Sequence, residues 1–321
     1  NYYIELIFVF FALPFASHTL ISSTILRSFN FPLTGQFIDS VLQTGIFLFL
    51  IIISFVLYNV SDWYMDSTLF LILLFLFAWF ITYTISNFLS RKNITIKRSE
   101  NPSNDRVNDW RRIQSSITLG VLGWSILGRC DVLLLGFLVS PSEVGIYFLC
   151  LRLAETLLFF SNVSYYIWSA ELSNYIQLKE FKKAQEILKN SSKLCFISTF
   201  LIMCLGIVFS ENILLLINEN YINHVNFFKA ALIIFLPIGS SGMINPLYYI
   251  LGEQDYLAKL QWIIGLFFLL LILLIVPLYG IEGCLFSFAF CKILYIIILA
   301  INLEKKYSLS ILPFDFSNKV I

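Results

Sequence analysis

A chain of 321 residues that is 59% hydrophobic and only 13% charged excludes an ordinary soluble domain, about a quarter of which is charged. Its net charge of +1 offers no field to attract nucleic acid. The mean hydropathy of +0.83 comes from long apolar blocks, the composition of a polytopic membrane protein.

The chain opens "NYYIELIFVFF", without the initiator methionine or basic n-region of a signal peptide. A bilayer crossing needs about 20 apolar residues. Nine such segments follow: 5–27, 36–58, 67–89, 113–137, 143–169, 194–217, 227–251, 260–279 and 281–302. The predicted fold class is therefore an all-α polytopic membrane protein with nine transmembrane helices. The longest connections are 90–112 and 178–193, too short for a soluble domain. In the latter, "KEFKKAQEILK" places Phe181, Ala184 and Leu188 on one helical face, and the expectation is a short amphipathic helix along the cytoplasmic membrane surface, with an ordinary solvated loop helix as the alternative.

Basic residues collect on the cytoplasmic side of a membrane. Seven lie in 90–112 and five in 170–193, and Arg27, Lys259, Lys305, Lys306 and Lys319 fall on the same side of the predicted alternation. The opposite loops hold only Lys229, with Asp62, Asp66, Glu143, Glu211 and Glu219. This pattern predicts a cytoplasmic C-terminus and an external N-terminus. Trp63, Tyr64 and Trp110 sit at span ends, as interfacial anchors do. The six cysteines lie inside apolar blocks with no CxxC pair and read as small apolar fillers, so neither metal nor cofactor is expected.

Spans one and seven share a Leu-Pro step, at Leu13-Pro14 and Leu236-Pro237, followed by a small polar cluster and a polar exit turn. With the 90–112 loop as a boundary, three spans precede it and six follow. Two parallel six-span halves would then imply about 110 residues missing ahead of Asn1. The predicted organisation is 1–89 as the last three helices of a first six-helix bundle, 90–112 as a basic cytoplasmic linker, 113–303 as a complete second bundle and 304–321 as a cytoplasmic tail. Pro14, Pro237 and Pro246 are candidate gating kinks, with the passive kink as the plainer alternative. His18 reads as a satisfied bundle histidine.

Charges inside the spans carry the functional signal. Arg129 and Arg152 each lie about nine residues from the turn "VSPSE" (139–143), roughly 14 Å along a helix and midway through a ~30 Å core. Asp131 and Glu155 are within a turn of that depth, and Lys292 lies about as deep in the last span. Arg129 and Asp131 each cost about 2.5–3.5 kcal/mol at a helix centre, as much as the apolar residues of span four return. They are about 200° apart around the helix, so they face different ways. Arg152, Glu155, Thr156, Asn162, Tyr166 and Ser169 recur at helical spacing, as on the wall of a wet lumen. Two roles stay open for these charges: structural ion pairs that set helix register, or contacts to substrate and coupling ion.

"GRCDVLLLGFLVSPSEVGIYFLCLRLAE" (128–155) resembles the hairpin that opens the second half of bacterial polysaccharide flippases of the multidrug/oligosaccharidyl-lipid/polysaccharide exporter superfamily. The shared pattern falls on Arg129, Asp131, Gly136, Val144, Gly145, Ile146, Tyr147 and Arg152. "PLYYILGEQDYLAKLQ" (246–261) and "YGIEGCLFSFAFCKILY" (279–295) are also similar to that family. The resemblance implies a non-enzymatic transporter of the bacterial cytoplasmic membrane. It would flip a polyprenyl-pyrophosphate-linked oligosaccharide from the inner to the outer leaflet, for O-antigen or capsule synthesis, by alternating access of two six-helix bundles. Arg129, Arg152 and Lys292 are the substrate-binding candidates because a pyrophosphate needs cations in a dry medium. Asp131 and Glu155 are the coupling or ion-pair candidates. Expected partners are the lipid-linked oligosaccharide, membrane lipids, a proton or sodium ion, and other polysaccharide-assembly proteins. The alternatives are a multidrug or cation antiporter of the same superfamily and, from another class, a membrane polysaccharide polymerase or glycosyltransferase. The short outer loops speak against the enzyme.

Overall fold

In the computed structural model, which describes residues 2–29, 31–61, 68–93 and 104–311, every regular element is a helix. Eight helical stretches among the described residues are long and apolar enough to cross a bilayer. This is the architecture of a multi-pass membrane protein. Hydrocarbon supplies no hydrogen bonds, so a spanning backbone must satisfy its own amides, as a helix does. The chain forms two compact units, Asn1–Asn101 and Pro102–Ile321. Their division falls in the predicted linker 90–112, of which 94–103 lie outside the described residues, as do Trp63 and Tyr64 and the tail beyond 311.

The first unit holds α1 (Tyr2–Ser28), α2 (Pro32–Phe37), which continues as a π-helical stretch Ile38–Leu42, α3 (Gln43–Ser61) and α4 (Thr68–Asn93). α1 packs along α4, with Phe15 edge-on to Phe80 at 5.5 Å and His18 edge-on to Tyr83 at 4.8 Å. The His18 Nδ1 also meets the Ser22 hydroxyl at 3.3 Å, so this histidine is satisfied inside the unit. Arg27 closes the turn after α1 through Asp39 at 3.1 Å and Gln36 at 3.2 Å.

The second unit holds α5 (Asn104–Leu138), α6 (Pro141–Glu155), a 3₁₀ turn Thr156–Leu158, α7 (Phe159–Gln177), α8 (Phe181–Val208), α9 (Ser210–Ile217), a 3₁₀ stretch Glu219–His224, α10 (Val225–Ser240), α11 (Ile244–Ile250) and α12 (Gln254–Tyr307). The tight turn between α5 and α6 is built by its own residues. Ser140 caps α6 in a reciprocal box with Glu143, and Pro141 takes the first helical position. α5 lies alongside the first arm of α12 with the backbones close. A Cβ on Gly123 would stand 3.1 Å from the Trp262 amide nitrogen, and the Trp262 indole donates to the Leu119 carbonyl at 2.9 Å.

The count of eight differs from the nine predicted spans at one place. The expected segments 260–279 and 281–302 are joined without a loop into α12. Inside it Gly280 leaves helical geometry (φ 56, ψ −140), and the chain folds back there. Gln261 donates to the Tyr295 hydroxyl at 3.2 Å, and the rings of Phe268 and Phe288 are 6.3 Å apart. In a straight helix residues 261 and 295 would be roughly 51 Å apart. A positive φ is strained for any residue with a Cβ, so Gly280 is what lets a single residue make this turn.

Two further expectations are corrected. The segment 179–189 forms no separate surface helix; all but its first two residues belong to α8, where Ala184, Ile187 and Leu188 are buried. The reason is continuity of the buried stripe, which runs on in phase through the small residues Ser191, Ser192 and Cys195. The Leu-Pro repeat is not mirrored in the backbone either. α1 runs on past Pro14 to Ser28, whereas the helix holding Pro237 stops at Ser240 and restarts at Ile244, with Gly242 at φ 56 between them. Pro246 falls in the first turn of α11, where proline costs little.

The end of α12 returns to its own beginning. Lys306 and Tyr307 both donate to the Glu253 carboxylate, the tyrosine at 2.6 Å. Gln185 of α8 exchanges two hydrogen bonds of 2.8 Å with the Ser310 backbone, above buried Leu309 and Ile311. The Lys306 and Tyr307 hydrogen bonds hold the Glu253 carboxyl below its usual range. Stability from this contact is therefore present near neutral pH and lost as pH falls through the lowered folded value. Glu253→Gln is expected to lower the melting temperature in detergent by a degree or two at pH 7, about the effect of one exposed ion pair, and the difference should vanish in acid. Gly280→Val is expected to cost ~1–2 kcal/mol. Thermal release of the buried Cys284 and Cys291 to a thiol-reactive dye measures both variants.

Candidate functional site

The five charges expected near the midplane all lie in the second unit, and the structure sorts them. Asp131 turns inward. It is 2% exposed, and its carboxylate accepts from the Tyr147 hydroxyl at 2.7 Å and from the Val132 amide at 2.8 Å. Tyr147 is itself fully buried on α6, so this contact pins α5 to α6 inside the core. Arg129, two residues earlier and on another face of α5, keeps a side chain that is 58% exposed. The divergence expected from helical geometry is thus observed, and its assignment is clear: Arg129 faces the open side and Asp131 the core.

Glu155 gathers the arginines. Its carboxylate meets Arg152 at 2.6 Å, one turn back on α6, and Arg129 of α5 at 3.8 Å. The guanidinium of Arg152 also lies 4.8 Å from the Phe148 ring centre. Glu155 ends α6, and the 3₁₀ turn Thr156–Leu158 that follows leads into α7. The carbonyl of Leu157 in that turn is satisfied by Thr199 of α8 at 3.3 Å, while Ser161 donates to the Gly239 carbonyl beside the α10 break.

A cavity of about 370 Å³ opens against these groups. α5 contributes Trp124, Ser125, Gly128 and Arg129; Glu155, Leu158 and Asn162 come from the α6–α7 crossing; Phe235 and Ile238 from α10; Phe288 and Lys292 from α12. Lys292 is 5% exposed, and its ammonium lies 3.5 Å from the Trp124 ring centre and 5.5 Å from that of Phe288. No carboxylate among the described residues comes within 4.0 Å of its Nζ, although Asp131 and Glu155 are near enough to act on it through their fields. A cation over an indole face gains only ~0.5–2 kcal/mol. The desolvation of a buried ammonium costs several.

Of the predicted site residues, Arg129, Glu155 and Lys292 therefore share one cavity, Arg152 reaches it through Glu155, and Asp131 stands apart with Tyr147. Pro237 neighbours the cavity-lining Ile238. Pro246 instead borders a second hollow of about 450 Å³ with Ser169 and Asn245, which draws the lower end of the predicted polar stripe away from the first cavity. Pro14 belongs to the first unit. Sequence reasoning gave no role to Trp124, Gly128, Phe235 or Phe288. Trp124 and Gly128 stand one turn apart on one face of α5, and Ser125 and Arg129 form the adjacent row at the same spacing.

Comparison with known protein families finds no family model that matches the chain, and comparison with curated proteins finds no match. Among the described residues no group of His, Cys, Asp and Glu could hold a metal ion.

Tyr147→Phe should destabilise the protein by ~1–3 kcal/mol, because it strips a buried carboxylate of its hydroxyl partner. The same change in an Asp131→Val background should cost much less. Equal losses in both backgrounds, by thermal unfolding in detergent, would show that the two residues are not coupled.

Proposed function

We propose that this protein flips a polyprenyl-pyrophosphate-linked oligosaccharide across the bacterial cytoplasmic membrane, from the inner to the outer leaflet, for cell-surface polysaccharide synthesis. On this reading the two arms of α12 are separate crossings. The second unit is then a six-crossing bundle, the whole chain makes nine crossings, and the C-terminus is cytoplasmic, in line with its basic residues. Transport proceeds by alternating access.

The observation that carries the reading is Lys292. A buried ammonium that lies over aromatic faces and, among the described residues, meets no carboxylate within 4.0 Å, on a cavity it shares with Arg129, has room for an anionic partner. A diphosphate supplies one, and two cations on converging helices suit its charge better than a neutral drug would. Glu155 on the same wall favours a second reading, a cation antiporter. Its carboxylate is already engaged by two guanidiniums, however, which leaves little negative potential for a cation.

Proteoliposomes loaded with a radiolabelled lipid-linked oligosaccharide test the proposal, with leaflet movement read by accessibility to an added glycosidase. Lys292→Met and Arg129→Gln should each slow flipping at least about tenfold, the loss of one charge-assisted contact. Lys292→Arg should retain part of the rate, and Lys259→Gln, remote from the cavity, should retain all of it. A wild-type protein that flips nothing, or full rates in both cation variants, overturns the reading.

A further inference from the structure

The cavity holds an aromatic ring that anion binding alone does not require. Trp124 lies on its wall, one turn before Gly128 and five residues before Arg129. A Cβ added to Gly128 would meet nothing within 4 Å, so the wall between the indole and the guanidinium is open floor. The Cα positions of Trp124 and Arg129 are roughly 7–8 Å apart along the helix axis. Tyr295 backs the indole at 5.5 Å, while Lys292 lies over the ring itself. At about 370 Å³ the cavity is near the lower end of small-ligand pockets, ~300–1,000 Å³. It has room for a head group and not for an oligosaccharide.

We propose that Trp124 is the platform for the first sugar of the cargo, and that Lys292 covers it until a diphosphate arrives. The proposal rests on the flippase reading and specifies what its site recognises: the junction between the diphosphate and the first pyranose. The ring quadrupole holds an ammonium only weakly and no carboxylate contacts this one directly, so a diphosphate, which offers full charge and strong acceptors, draws it away. The indole face that is uncovered is flat and apolar, and it suits the C–H face of a pyranose ring, while Ser125 and Asn162 supply polar groups for its hydroxyls. Recognition is then ordered. The anion uncovers the platform, and the sugar occupies it.

The full chain in nanodiscs tests this through indole emission, with Trp124→Phe subtracted to isolate the one ring. The probes are inorganic pyrophosphate, free glucose and a radiolabelled short-chain prenyl-diphosphate-hexose. Pyrophosphate should change the Trp124 emission saturably, glucose should not, and Lys292→Met should abolish the response. By radiolabel, the hexose probe should bind about fivefold tighter than pyrophosphate, an advantage lost in Trp124→Leu and largely kept in Trp124→Phe. Pyrophosphate binding without any change at Trp124, a sugar advantage that survives Trp124→Leu, or no binding of either probe overturns the platform. The first two of these leave the flippase reading intact. Sugar-dependent binding in a protein that flips nothing supports the platform and removes the flippase.

Discussion

A charge inside hydrocarbon must find its partner within the protein, and the second unit is arranged around that demand. Glu155 is its pivot. By accepting from Arg152 at 2.6 Å and lying 3.8 Å from Arg129, it ties α6 to α5 and gives both guanidiniums a counter-charge inside an apolar bundle. Removing the carboxylate would leave two guanidiniums facing each other without a counter-charge, a larger penalty than the loss of either contact. Asp131 solves the same problem by burial. A phenol hydroxyl and a backbone amide replace water, and the contact fastens the same two helices a second time.

The backbone obeys the same constraint. Two crossings of this unit are interrupted, one at Thr156–Leu158 and the other at Ser241–Met243. Irregular backbone at membrane depth is tolerated where protein covers it. Here Ser161 donates to the Gly239 carbonyl and Thr199 to that of Leu157, so each interruption is stitched to its neighbours. The cavity lies against these interruptions, with Glu155 and Leu158 on one side and Ile238 on the other. Glu155 and Asn162, seven residues apart, line this cavity together, while Ser169, roughly 10 Å further along the helix, borders a different hollow.

Length and apolarity made the spans legible in the sequence, because hydrocarbon thickness leaves little choice of helix length. The angular separation of Arg129 and Asp131 was legible for a similar reason: 100° per residue admits no other outcome. What was hidden depends on contacts distant in sequence. The fold-back at Gly280 was visible as a boundary between spans but not as a turn without a loop. That turn requires a positive φ, and sequence alone does not distinguish it from a passive glycine. The helix of 179–189 looked like a surface element because its apolar face was counted without the strip of chain, Leu309 and Ile311, that is buried nearby. Trp124 was passed over because a tryptophan in an apolar span normally reads as packing. Only its position under Lys292 marks it as anything else.

The three bases at this depth are consequently not equivalent. Arg152 is committed to Glu155 and contributes mainly to the electrostatic balance of the wall. Arg129 is more exposed and only loosely engaged at 3.8 Å, so it can meet an anion without breaking the bundle. Lys292 alone is buried, and it lacks a carboxylate within reach among the described residues. Lysine suits that place better than arginine. Its compact ammonium is held over an indole by a weak, direction-tolerant attraction and can exchange that face for a phosphate oxygen through rotation of a flexible stem. A guanidinium there would stack in plane on the indole and hold it more firmly. The least satisfied cation in the bundle is thus also the one most easily moved.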